Sequence, residues 1–256
     1  MAGNVPAAVR TLAVLRTLAS APGPMTAAAL ARELAAPRSS MYHLLAAMAA
    51  SGFVAHYPEE ERWGLGVTAF EVGAAYLRHD PLERLARPLL HRLAVDVQRI
   101  TPSVVHLGVL HGRETLYLLK ESSPQSVTIV ADVGVRLPAS LTASGRAMLA
   151  CLPAAQVRAL FPDAAAFVDR TGLGPMSLSS LNRLLAVERA QGWAHEDGLI
   201  TEGYASVAAA ALDHSGRPAA SVGVTFRADH VDEEKLEDLA KAARKCAREL
   251  SRRLGS

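Results

Sequence analysis

Leu30-Ala31-Arg32-Glu33-Leu34, then Ala35-Ala36, then Pro37-Arg38-Ser39-Ser40-Met41-Tyr42-His43-Leu44-Leu45 is the stretch that decides the fold. Thr26 just ahead of it suits an N-cap. A short helix over 27–35 follows, with Leu30 and Leu34 four apart on one face. Proline is favoured at the first helical position, so the next helix is expected to open at Pro37. Its apolar face is Met41, Leu44, Leu45 and Met48, at i, i+3, i+4 and i+7. Gly52, after Ser51, suits a left-handed C-terminal cap. With that face turned inward, Arg38, Ser39, Ser40, Tyr42 and His43 stand outward near the helix start. Two helices across a short turn form a helix-turn-helix, whose second helix carries its N-terminal residues into a DNA major groove. The residue types fit: a guanidinium for guanine edges, hydroxyls for phosphates. An ordinary helical bundle with a polar face would show the same spacing.

Outward from this centre, Leu12, Leu15, Leu18 and Ala19 mark a helix over about 7–20, ended by Ala21-Pro22-Gly23-Pro24. Downstream, Phe53–His56 and Trp63–Gly66 are short apolar runs around the polar Tyr57–Arg62, which reads as a β-hairpin. Thr68 is a candidate cap for a fourth helix carrying Phe70, Val72, Ala75 and Tyr76. Residues 1–79 hold six arginines against five glutamates, so any attraction for phosphate is local to Arg38, Arg62 and helix N-termini.

His79-Asp80-Pro81 is the expected boundary, dividing the chain into 1–79 and 80–256. Leu82, Leu85, Leu89, Leu93 and Val97 then form a helical stripe that Pro88 should kink or divide. Strands are expected at Ser103–Leu110, Glu114–Glu121 and Ser126–Val130, and helices at 143–152, 154–160 and 179–191, the last stopped by Gly192. Val207–Leu212 and Ala219–Phe226 form a second hairpin around Asp213–Pro218. Residues 233–254 form a long amphipathic helix whose interleaved Lys, Arg, Asp and Glu read as a solvated face.

Composition narrows the function classes. The 256 residues are 50% hydrophobic and 20% charged, near the globular average, which excludes bulk disorder and fibrous repeats. Cys151 and Cys246 are the only cysteines and make no CxxC pair, so neither a disulfide scaffold nor a cysteine-rich zinc module is expected. No apolar run is long enough to span a bilayer, and Met1–Arg10 does not read as a secretion signal; a reducing cytoplasm is expected. A net charge of +2 does not itself announce a nucleic-acid binder. The nine histidines never fall at HxxxH or HxH spacing, which gives no support to a metal site. Thr142-Ala143-Ser144-Gly145 is not a nucleophile elbow, and no phosphate-binding glycine pattern occurs. No cofactor is expected. An enzyme reading therefore rests on His195-Glu196-Asp197 as an acid–base cluster, with His195 and Glu196 in those roles; a solvated loop is the alternative reading of the same residues.

The opening stretch, continued by Ser51-Gly52-Phe53-Val54, resembles the winged helix-turn-helix of the IclR family of bacterial transcriptional regulators. The resemblance runs on through Leu82-Glu83-Arg84-Leu85-Ala86-Arg87-Pro88-Leu89-Leu90 and Arg136-Leu137-Pro138. It continues in Thr142-Ala143-Ser144-Gly145-Arg146-Ala147-Met148-Leu149-Ala150, Gly192–Gly198 and Gly203–Ala209, in order and across nearly the whole chain. Three positions depart from the family's pattern. Ala35-Ala36 stand where glycine is usual, Arg146 where lysine is usual, and Ser140-Leu141-Thr142 in a stretch that commonly holds a histidine.

The resemblance implies an α+β protein: a winged helix-turn-helix, a linker helix around 81–100, and a GAF-like α/β effector-binding domain. It implies a ligand-responsive repressor or activator of a catabolic operon, bound to a palindromic double-stranded DNA operator as a homodimer or homotetramer. Thr26, Arg38, Ser39, Ser40, Tyr42, His43 and Arg62 are the implied DNA contacts. A small organic effector, often a small or aromatic acid in this family, is implied to sit among Ile129, Leu137, Ala143, Ser144, Gly145, Glu196, Tyr204, Ser206, Gly223 and Thr225. The residues themselves are compatible. Ala143-Ser144-Gly145 begins a predicted helix, where free N–H groups welcome an anion. Ser206 and Thr225 are hydroxyls in apolar strands, and inward hydroxyls need partners. Glu196 would oppose an anion, so a neutral or amine-bearing ligand stays open.

Overall fold

The computed structural model describes residues 5–79, 81–122 and 131–256, with only the backbone described for 76–79 and Pro81. The chain separates into two compact units, Met1–Asp80 and Pro81–Ser256.

In the first unit, α1 (Pro6–Ser20), α2 (Ala27–Glu33) and α3 (Arg38–Ala50) enclose a core of Val14, Leu18, Leu30, Met41, Leu45 and Met48. The strands β1 (Met25–Thr26), β2 (Val54–Tyr57) and β3 (Arg62–Leu65) form an antiparallel sheet in the order β1-β3-β2. The expected hairpin is therefore the wing, joined by a third strand too short to leave a sequence signal. His56 and Trp63 face each other across β2 and β3, their rings stacked 4.3 Å apart. α4 (Val67–His79) closes the unit.

Three boundaries differ from the sequence expectation. Pro37 is the N-cap of α3 rather than its first residue. α2 stops at Glu33 because Ala35 takes a left-handed φ of +48°, which ends the helical path. Thr68 lies inside the first turn of α4 instead of capping it. Gly66 precedes that helix, and a Cβ there would stand 2.2 Å from the Gly52 carbonyl oxygen.

The second unit is built on a six-stranded antiparallel sheet. Its strands are β4 (Ser103–His111), β5 (Glu114–Ser122), β6 (Arg136–Pro138), β7 (Ala194–Asp197), β8 (Tyr204–Leu212) and β9 (Pro218–Arg227), in the order β6-β5-β4-β9-β8-β7. Side chains alternate across a strand, and both faces are used. Val105, Leu107, Val207, Ala209, Val222 and Val224 pack under α5 (Pro81–Gln98) and α9 (Glu233–Arg253). On the opposite face lies α6 (Ala143–Leu149), buried along its whole length, flanked by α7 (Ala154–Leu160) and α8 (Leu178–Gln191). Burial on both faces explains why β4 and β9 read as continuous apolar runs.

Pro88 does not divide the linker helix: α5 is one helix from Pro81 to Gln98. Ala86, Leu89, Leu90, Leu93 and Val97 hold it against the sheet, and that packing outweighs one missing backbone hydrogen bond. The strand expected at Ser126–Val130 lies outside the described residues.

Candidate functional site

Two sites are built, one in each unit. The first is the outer face of α3. Arg38, Ser39, Ser40, Tyr42 and His43 are all exposed, while Met41, Leu45 and Met48 are buried beneath them. No side chain caps α3, and no acid stands in its first turn. Its first N–H groups and their partial positive charge are therefore left for an anion. Thr26 serves the fold directly, because its hydroxyl accepts the Ala29 N–H at 3.2 Å and caps α2. Arg62 is exposed, but its Nη1 donates to the Pro24 carbonyl at 2.8 Å, which braces the wing against the α1–α2 connection. The wing tip carries Glu59, Glu60 and Glu61, all exposed, so it offers no positive charge to a phosphate.

The second site is a cavity between α6, the sheet and the β7–β8 connection. Of the sequence candidates, Leu137, Ala143, Ser144, Glu196, Tyr204, Ser206, Gly223 and Thr225 line it together. Gly145 does not: a Cβ there would fall 2.4 Å from the Ala139 backbone, so this glycine serves close packing behind the cavity. Its N–H donates to the Thr142 hydroxyl at 3.0 Å, which caps α6 and removes one donor from those expected to greet an anion. Ile129 lies outside the described residues. Tyr117, Ala131, Thr142, Ile200 and Thr201 also line the cavity and are not among the sequence candidates. Tyr117 and Thr142 leave a usable signal, being polar residues beside an apolar run and a helix start.

Alternation places these groups. Gly223 and Thr225 on β9, and Ser206 on β8, stand two apart or directly paired on the α6 side of the sheet. A Cβ at Gly223 would meet Ser144 Oγ at 2.7 Å, so glycine is what lets α6 approach. Glu196 is not on a solvated loop, contrary to that reading of the sequence. It belongs to the edge strand β7 and is only 4% exposed. Its neighbour His195 points to the other face of that strand, so the two cannot share a proton as an acid–base pair.

Ser206 Oγ donates to Glu196 Oε1 at 2.7 Å, and the Leu199 N–H donates to Oε2 at 3.1 Å. Ser206 and Thr225 hydroxyls are 2.9 Å apart. Burial pushes the Glu196 carboxyl above its ordinary range, against the pull of Ser206, Arg146 and the Leu199 and Ile200 amides. Burial likewise raises Tyr117, whose hydroxyl lies beside those of Ser144 and Thr142.

Behind the cavity Arg146, 1% exposed, pairs with Glu188 at 2.8 Å. Its other N–H groups donate to the carbonyls of Ser140, Leu141 and His195. One guanidinium thus joins α6, α8, β7 and the α6 approach. Desolvation raises the Glu188 carboxyl, and Arg146 opposes that shift.

A winged helix-turn-helix with an unobstructed polar recognition helix, carried on one chain with an α/β domain around a cavity, defines a DNA-binding transcriptional regulator. The chain belongs to the IclR family. The family's helix-turn-helix domain matches residues 7–58, and "Bacterial transcriptional regulator IclR C-terminal" matches residues 74–252. The glycerol operon regulatory protein of Streptomyces coelicolor is 32% identical over 258 aligned positions, covering 100% of this chain and 99% of that one. The Thermotoga maritima IclR crystal structure superposes with a TM-score of 0.72 at 25% identity, covering 99% of this chain and 100% of that one. An IclR homologue from Microbacterium hydrocarbonoxydans, complexed with 4-hydroxybenzoate, shares the fold with a TM-score of 0.81 at 23% identity, over 97% of this chain and 98% of that one. The relatives are regulators of transcription, not enzymes, which ends the enzyme reading. Among the described residues no helix is long and apolar enough to cross a membrane.

Proposed function

We propose that this protein is a ligand-responsive regulator of a catabolic operon, acting in the cytoplasm on a palindromic operator. The boundary between its DNA-binding and effector-binding domains lies near residues 79–80. The carrying observation is the pairing of a bare, polar recognition helix with a buried, hydroxyl-lined cavity in one chain. Arg38, Ser39, Ser40, Tyr42 and His43 read base edges and phosphates, and Thr26 and Arg62 add phosphate contacts from the flanks. Relatives that control glycerol and acetate operons support the catabolic role. The neighbour holding 4-hydroxybenzoate supports a small-molecule effector.

An effector acts only through differential affinity for two conformations. The cavity and α5 lie on opposite faces of the same strands, so a shift in β4 or β9 is felt by both. α5 is the proposed relay. A gel-shift assay against the upstream region of the protein's own gene tests the regulator reading. Arg38→Ala should weaken operator binding by about 1–3 kcal/mol and relax specificity at one position. Unchanged affinity in both Arg38→Ala and His43→Ala overturns the assigned face. Ala143→Leu fills the cavity; it should leave operator binding intact and abolish the effector response.

Assembly is proposed as a dimer through the first unit, pairing further into tetramers through the second. α1 exposes Val9 and Leu12, with Val5 just ahead of it, and α4 exposes Val67, Phe70 and Val72. Apolar surface of that kind marks an interface.

A further inference from the structure

The cavity's hydroxyls and charges restrict the chemistry of its occupant. Ser206 has one hydroxyl proton, and it is spent on Glu196. The 2.9 Å contact between Ser206 and Thr225 must then be donated by Thr225, whose proton is spent in turn. Toward the cavity this end of the site therefore offers lone pairs only: those of Thr225 and what remains on the Glu196 carboxylate. That carboxylate has about four acceptor positions. Ser206 and the Leu199 amide occupy two, leaving the remainder for a ligand donor.

No Lys, Arg or His is among the described residues that enclose the cavity. Arg146 is the nearby cation, but its N–H groups are committed to Glu188 and three carbonyls. A ligand carboxylate would share a buried, low-dielectric space with Glu196 without a counter-charge. An ammonium would find one charge, but it has donors only and could accept nothing from the lining hydroxyls, that of Tyr204 among them. Several hydroxyls on a small carbon skeleton match both ends: they donate to Glu196 and Thr225 and exchange hydrogen bonds with the rest.

We infer that the cavity takes a small uncharged polyhydroxylated ligand, with Glu196 as the residue that selects it against carboxylates. The inference rests on the proposal that this cavity is the effector site.

Calorimetric titration of the full-length protein near neutral pH tests it with matched probes. Glycerol, erythritol and xylitol are compared with glycerate, erythronate and xylonate, and with serinol, the amine counterpart of glycerol. At least one polyol should bind saturably while its acid and serinol do not. Glu196→Gln should weaken that polyol about tenfold, the loss expected for a hydrogen bond to a charged group, and should narrow the gap to the acid. Thr225→Val, which removes the other acceptor, should weaken the polyol without admitting the acid, and keeps the test open if Glu196→Gln folds poorly. Silence of all three polyols, or tighter binding of an acid or of serinol by the unmodified protein, overturns the inference. Ala143→Leu separates the two levels. Acid or amine binding that it abolishes sinks the polyol assignment alone, whereas polyol binding that survives it means the effector site lies elsewhere.

Discussion

His106 shows what a single buried residue contributes. It is 2% exposed on β4, its ring 5.1 Å from that of Tyr117 and its Nε2 without a hydrogen-bond partner. Burial and the Lys120 charge lower its pKa from 6.5 to about 4, against a backbone hydrogen bond at Ala131 and the charge of Asp132. The folded protein therefore binds this proton less readily than the unfolded chain. The stability this residue confers is complete above pH 6.5 and drains away as the pH falls toward 4. At 1.36 kcal/mol per unit the loss amounts to about 3 kcal/mol. His106→Leu should flatten that part of the stability curve, measured by denaturant unfolding across the same pH window. Parallel curves for the two proteins would show that His106 is not the titrating group. Nothing in the sequence separates His106 from the other eight histidines. The β4 run Ser103–Leu110 is legible as a strand, but that it is buried on both faces is a consequence of the helices packed around it. Glu196 is legible as a candidate, though not in its true setting. Its neighbours His195 and Asp197 are polar, so the three together hide the alternation of an edge strand.

At the scale of elements, local signals are legible where they are strong. The apolar spacing of α3, the glycine after Ser51 (φ +74° at Gly52) and the helical stripe of α5 each appear as the residues suggest. The short strands β1, β6 and β7, which lack the paired apolar runs and polar turn that mark β2 and β3, carry too little pattern to be seen and are defined by the strands they pair with. The helix-turn-helix turn carries a cost that the sequence announces only through its lack of glycine. Ala35 at φ +48° holds its Cβ in a crowded left-handed conformation. Ala35→Gly should stabilise the first unit by about 0.5–1 kcal/mol, the relief of strain exceeding the added chain entropy. Thermal unfolding of the two proteins checks this, and a lowered midpoint would refute the strain.

Arg146 works at the same scale in the opposite sense. Removing it leaves Glu188 buried without its cation, and Glu188 Oε2 already has no hydrogen-bond partner. Arg146→Met should cost about 3–5 kcal/mol. The double variant Arg146→Met, Glu188→Leu should recover much of that loss, because a buried pair replaced by apolar groups of similar size is often tolerated. Chemical denaturation of the single and double variants reads the coupling directly. An additive loss would mean that the ion pair is not the joint between α6 and α8.

The molecule as a whole leaves apolar side chains in solvent that no packing within their own unit explains. Phe70 on α4 is 74% exposed and Leu12 on α1 is 62% exposed, while the core of that unit is complete without either. A monomer gains nothing from them, since surface apolar groups contribute little to folding. The proposed palindromic operator offers a use. Two copies engage half-sites about one helical turn apart, or a multiple of it, only if their recognition helices are held at that spacing. On the proposed assembly, losing the dimer removes one half of the contacts rather than weakening each. Phe70→Glu and Leu12→Glu should shift the protein toward smaller species in light scattering at micromolar concentration. Both should leave the unfolding free energy of the first unit within about 0.5 kcal/mol. Operator affinity should fall steeply in a gel shift, and a single half-site probe should bind the variants as it binds the unmodified protein. That last comparison distinguishes a lost interface from a damaged reading head. Variants that keep the original mass and full operator affinity would place the dimer contact on another face of the molecule.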